Sequence, residues 1–241
     1  MKPKKKHAEK IIIALDFPKK EPALHIAKSL KYVQTFKIGL ELFISEGPSI
    51  IQEMYDLGKK VFLDLKLHDI PNTVAGAVRS GFKHRVYMMT LHASGGMEMM
   101  ERAVREAKDL QQKTGNQKPL LLAVTVLTNF RNEELRQIGV KAKSNDQVLK
   151  LASLAQNAGM DGLVCSSEET KMIKKEIGED FLIVNPGIRP VGALKDDQKR
   201  ITTPHQALKN GADFLVIGRP VTQAPDSEKA FLKICRELDR P

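Results

Sequence analysis

Eight short apolar runs recur along this chain, nearly all followed by a longer stretch with helical periodicity, and that alternation restricts the fold more than any other feature. The runs are Ile11–Asp16, Gln34–Gly39, Val61–Lys66, Val86–Leu91, Leu120–Val126, Gly162–Cys165, Phe181–Val184 and Asp213–Ile217. These runs are strand candidates. Helical spacing of apolar residues marks Pro22–Leu30, Pro48–Leu57, Gly96–Leu110, Asp146–Ala158, Glu168–Ile177, Pro204–Lys209 and Asp226–Leu238, and Gly58, Gly159 and Gly211 fall where helices should stop. Eight such units in one chain point to an α/β protein with a single (β/α)8 TIM barrel. A doubly wound open sheet is the rival, but no G-x-G-x-x-G follows the first strand, where a dinucleotide fold needs it. No linker or low-complexity segment divides the chain. The expectation is a basic flexible tail over residues 1–10 and one barrel domain over 11–241.

Length permits this, since 241 residues bury a full core. Two cysteines, Cys165 and Cys235, offer neither a disulfide framework nor a CxxC metal spacing, which fits a reducing cytoplasm. The apolar run after the N-terminal lysines ends at Asp16, too short for a secretory core or a membrane span, so no membrane association is expected. The net charge of +10 raises the question of nucleic acid. Its lysines are spread over helical stretches (Lys171, Lys174 and Lys175 are examples), with no RNA-recognition signature and no tryptophan. Solvated surface charge accounts for them better than a nucleic-acid partner does.

The active site of such a barrel lies at the C-terminal ends of its strands, and polar residues gather there along the sequence. Asp16 ends the first run and Lys37 nears the end of the second; Asp64 and Lys66 end the third. His92, Thr128, Asn185 and Gly218–Arg219 follow the fourth, fifth, seventh and eighth. The segment FLDLKLHDIPNTV is the most informative. Residues two apart share a strand face, so Asp64 and Lys66 point together while Leu63, Leu65 and Leu67 point away to pack under helices. Asp69 lies just beyond, before Pro71, which suits the first turn of a helix. Each carboxylate has a lysine for company, so all four groups, Lys37 included, are expected to be charged at neutral pH. A divalent metal would explain two aspartates, but two lysines compete for the space and His68 is expected on the other face, so no metal is assigned.

A second signal is DFLVIGRP, where a strand runs into Gly218 and Arg219. Backbone amides in that part of a barrel often hold phosphate, and arginine adds a forked, permanent charge. The long preceding loop, NPGIRPVGALKDDQKRIT, offers Gly187, Arg189, Gly192 and Gln198 and suits a functional lid. His92 fits a supporting hydrogen-bonding role better than that of a general base. Cys165 reads as a buried, inert thiol.

With these motifs in view, the chain resembles the orotidine 5'-phosphate decarboxylase family, particularly its bacterial form. The likeness runs through ALD at Asp16, FKIGLELF at Lys37, FLDLKLHDIPNTV, LHASGG, VTVLTN, NPGIRP, DQKRI and IGRPVT. It implies conversion of orotidine 5'-phosphate to UMP in pyrimidine biosynthesis, with no cofactor. It also implies roles. Asp16 and Lys37 would hold the ribose hydroxyls, with Lys37 joining the charged array. Asp64 would face the reacting carboxylate, and Lys66 would protonate C6. Asp69 and Thr73 would reach the neighbouring site of a homodimer. Thr128 would lie near the pyrimidine and Arg189 near the phosphate lid, while Gln198, Gly218 and Arg219 would grip the phosphate. Two alternatives remain: a metal-assisted sugar-phosphate decarboxylase or aldolase on the same barrel, and a non-catalytic nucleotide-binding barrel.

Overall fold

A computed structural model describes residues 3–190 and 202–238 of the chain. Eight strands pair in parallel and close on themselves in the order β1 to β8. They are β1 (Ile11–Ala14), β2 (Thr35–Ile38), β3 (Lys60–Leu67), β4 (Met88–His92), β5 (Leu120–Val124), β6 (Gly162–Val164), β7 (Leu182–Asn185) and β8 (Phe214–Ile217). Closure is made by β1 against β8, with Ile12 opposite Val216. The expected single barrel is therefore observed, with every strand within two residues of its sequence-derived start.

Strand alternation sorts the side chains into two layers. Ile12, Ala14, Phe62, Met88, Leu122, Val124, Val164, Val184 and Val216 fill the barrel interior. Residues of opposite parity, among them Ile11, Ile13, Phe36, Ile38, Leu63 and Leu91, join the larger core beneath the helices. Leu65 and Leu67 pack against that outer core, as the period-two reading requires.

The helices, in chain order, are α1 (Lys5–Ala8), α2 (Lys20–Ser29), α3 (Leu40–Glu46), α4 (Ser49–Asp56), α5 (Pro71–Lys83) and α6 (Met97–Thr114). Then come α7 (Asn132–Gln137), α8 (Ser144–Asn157), α9 (Ser167–Ile177), α10 (Pro204–Lys209), α11 (Arg219–Thr222) and α12 (Ser227–Glu237). Several carry their start signals in sequence. Pro71 occupies the first turn of α5. Ser166 caps α9 through a capping box in which Glu169 accepts the Ser166 backbone N–H at 3.0 Å.

Two local expectations differ from what forms. Within residues 1–10, assigned by sequence to a flexible tail, Lys5–Ala8 make one helical turn with His7 and Ala8 buried. Lys174, read from sequence as solvated, is buried: its ammonium donates to the Glu179 and Phe181 carbonyls and to Asp213 Oδ2 at 3.1 Å. The apolar stem of the lysine covers the helix–strand seam while those three oxygens satisfy its charge.

Candidate active site

Asp16, Lys37, Asp64, Lys66, Thr128, Arg189, Gly218 and Arg219 all line one cavity of about 260 Å³ at the C-terminal ends of the strands. Parity and register explain the convergence. Lys37 lies opposite Ala14 on one side and Phe62 on the other, so it faces inward with them. Asp64 continues the inward face of Phe62, and Asp16 that of Ala14. Gly218 follows β8, where an added Cβ would stand 3.5 Å from the Ala14 Cβ and 3.9 Å from Asp16 Oδ2. A larger side chain there would fill the mouth.

The charged residues form a continuous chain of contacts. Lys37 Nζ donates to Asp16 Oδ1 at 2.8 Å and stands 3.8 Å from Asp64 Oδ2. Lys66 Nζ donates to the same Asp64 Oδ2 at 2.9 Å. Asp64 thus turns one oxygen toward two ammonium groups, and its side chain is only 11% exposed. Asp16, at 61%, opens toward solvent. Exposure grades the array from a dry centre to a wet rim, and its charges act most strongly at that centre.

Lys66 reaches this position through a local irregularity. Between the pairs Leu63–Met89 and Leu67–Leu91, β3 advances four residues while β4 advances two. Lys66 sits in that bulge with φ of 51°, a left-handed conformation that β-carbon-bearing residues avoid. Its backbone N–H finds no ladder partner on β4 and donates instead to Thr90 Oγ1 at 2.9 Å. The Thr90 hydroxyl in turn donates to Asp64 Oδ1, also at 2.9 Å. Sequence reasoning missed Thr90, although it lies two residues before His92 on the same strand face. Gly39 was missed as well: an added Cβ would come within 3.0 Å of Lys37 Nζ and 3.3 Å of Asp16 Oδ1, so the glycine leaves room for that ion pair.

Not every candidate enters the cavity. Asp69 and Thr73 are exposed and outside its lining; the Asp69 carboxylate accepts the Ile70 N–H at 2.7 Å. Arg189 is 6% exposed, and its backbone is tied to Thr202 where Ile188 bridges that residue. Gln198 and Gly192 lie outside the described residues. Asn185, counted at the mouth from sequence, faces the helices instead: its Nδ2 donates to the Cys165 carbonyl and to Thr170 Oγ1, both at 2.9 Å. Its parity is that of Ile183, one step out of phase with the inward Val184. Cys165 shares this outer layer, and burial pushes its thiol far up, which leaves it inert.

The exposed His68 lies outside the cavity lining, with its ring 5.6 Å from that of His92. Burial lowers the His92 pKa below its ordinary 6.5, and His68 and Lys66 push it further in the same direction while Asp64 opposes them. A neutral imidazole adds no positive charge beside the two lysines. Among the described residues, no three of His, Cys, Asp and Glu gather as a metal ligand set, and no helix is long and apolar enough to cross a membrane.

The geometry can be set beside known proteins. The model of the orotidine 5'-phosphate decarboxylase / HUMPS family matches residues 9–234. An orotidine 5'-phosphate decarboxylase of Syntrophomonas wolfei is 51% identical over 234 residues, covering 96% of this chain and 98% of the relative. One from Pseudoalteromonas translucida is 50% identical, with 96% and 98% covered. Among solved structures, orotidine 5'-phosphate decarboxylase from Lactobacillus acidophilus superposes with a TM-score of 0.85 at 36% identity, covering 96% of this chain and 100% of that one. An uncharacterized conserved protein from Geobacillus kaustophilus gives 0.83 at 34% identity, with 95% and 99% covered.

Proposed function

The chain belongs to the orotidine 5'-phosphate decarboxylase / HUMPS family, and we propose that it converts orotidine 5'-phosphate to UMP in pyrimidine biosynthesis, in the cytoplasm and without a cofactor. The observation that carries this reading is the contact chain Asp16–Lys37–Asp64–Lys66 at the barrel mouth. A site that only held a nucleotide would gain nothing from a dry carboxylate aimed at an anionic ligand.

Loss of CO2 from C6 of the pyrimidine leaves its electron pair on a ring carbon with no conventional sink. Fixed charge must then supply the stabilisation. The Lys66 ammonium would stabilise the negative charge growing at C6 and then deliver its proton there. A vinyl-type carbanion is far more basic than a lysine amine, whose reference pKa is about 10.4, so the transfer is downhill without special tuning. Asp64 would sit against the departing carboxylate, and its repulsion would be relieved as CO2 leaves. The two lysines balance Asp64 in the free enzyme, which is what permits a carboxylate at that spot.

Asp16 and Lys37 are assigned to the ribose hydroxyls and Thr128 to the pyrimidine. Gly218, Arg219, Arg189 and, from the loop outside the described residues, Gln198 are assigned to the phosphate. Binding energy from this remote group would be used to favour the transition state. Asp69 and Thr73, exposed on their own chain, are assigned to the neighbouring site of a homodimer. The exposed apolar residues Leu40, Ile44 and Ile70, which follow β2 and β3 at the same end of the barrel, support a partner surface there.

Lys66→Ala tests the central assignment. Turnover of orotidine 5'-phosphate should fall by about 10,000-fold or more while UMP binding stays measurable by calorimetry. Near-normal turnover in that variant would remove Lys66 from the chemistry.

A further inference from the structure

The charged array is organised by a residue that carries no charge. Thr90 is fully buried on β4, and its hydroxyl makes two hydrogen bonds of opposite sense. It accepts the Lys66 backbone N–H and donates to Asp64 Oδ1, each at 2.9 Å. These are the two residues on which the proposed chemistry depends. The first bond replaces the ladder partner that Lys66 loses in the bulge, and so holds the left-handed turn that sends its side chain into the cavity. The second fixes the plane of the Asp64 carboxylate. With Oδ1 held by Thr90, Oδ2 is left to face Lys66 at 2.9 Å and Lys37 at 3.8 Å.

We propose that Thr90 is a positioning residue for the decarboxylation: one hydroxyl, donor and acceptor at once, sets the relative orientation of Asp64 and Lys66. The inference rests on the function proposed above. A hydroxyl on a rigid strand suits the task because it bonds both partners from one atom and adds no net charge to a balanced array. Valine has nearly the same shape but neither bond. It would leave the Asp64 oxygen and the Lys66 N–H unsatisfied and free both to move. Serine keeps the hydroxyl and loses only a methyl group.

The expected result is a split between chemistry and binding. Thr90→Val should lower kcat about 10- to 100-fold, as a small misplacement of reacting groups does. Its affinity for UMP, which lacks the carboxylate that Asp64 faces, should stay near wild type. Thr90→Ser should recover kcat to within about threefold of wild type. If Thr90→Val proves too unstable to purify, Thr90→Ala takes its place with the same criteria. A kcat within about threefold of wild type for the hydroxyl-free variant overturns the proposal, as does a parallel loss of kcat and UMP binding that serine does not repair. Lys66→Ala, assayed alongside, separates two failures. If it retains turnover, the reading of the site falls; if it is inactive while Thr90→Val is normal, only the role of Thr90 falls.

Discussion

At the residue scale, the site depends on how few side chains settle the fate of each charge. Asp64 accepts from Thr90 through one oxygen and from Lys66 through the other, and Lys37 joins it to Asp16. His92 stands beside this array with its pKa lowered, chiefly by burial. That shift has a thermodynamic consequence. Because the unfolded chain binds a proton more readily, the neutral folded form contributes stability fully above the ordinary pKa of 6.5, and this is lost as pH falls toward the lower folded value. His92→Gln removes the titrating group, so its Tm should fall less than that of wild type as pH drops below 6.5. Parallel Tm-against-pH curves for the two proteins would show that His92 is not the group responsible. Much at this scale was legible, because D-x-K marks a charged pair at a strand end, although the bulge that turns Lys66 into the cavity has no signature in sequence. Thr90 was not: a threonine in MMTLH is an ordinary strand residue until β3 and β4 are placed in register and the bulge exposes the N–H it satisfies.

At the element scale, strands were easier to read than helices, for a physical reason. Most strand residues are buried, so each strand shows as a short, mainly apolar run whose start is marked. Helix α3 carries Leu40 and Ile44 toward solvent, 52% and 77% exposed, and buries only Leu42. Its apolar spacing therefore outlines no core-facing stripe, and the sequence does not mark it as a helix. The polar α7 and four-residue α11 are silent for the same lack of a stripe. Barrel closure also depends on small residues that a strand-propensity reading undervalues. Gly162 begins β6 against Leu182 of β7, and an added Cβ would overlap the Leu182 carbonyl oxygen. Backbone cannot yield as a flexible side chain can. Gly162→Ala should cost about 1–3 kcal/mol in urea-melt stability, the usual range for overpacking. An unchanged midpoint and slope would show that β6 and β7 can separate freely.

At the scale of the whole molecule, the barrel explains why residues from seven of its eight β/α units meet in one cavity: parallel strands aim all their C-terminal ends the same way. Asp69 and Thr73 do not join them within this chain, and their assignment to a second copy predicts complementation. Lys66→Ala and Asp69→Ala should each be nearly inactive. Mixed and allowed to exchange subunits, they should regain about a quarter of wild-type activity, since half the dimers are hybrids and one site in each hybrid is intact. No recovery after verified exchange would place Asp69 outside the neighbouring site. The most direct test of the central claim is the loss of orotidine 5'-phosphate absorbance on adding purified, chelator-treated wild-type protein. Rapid, stoichiometric formation of UMP and CO2, unaffected by the chelator, is the predicted result. A substrate left intact, or turnover restored only by a divalent metal, would contradict it.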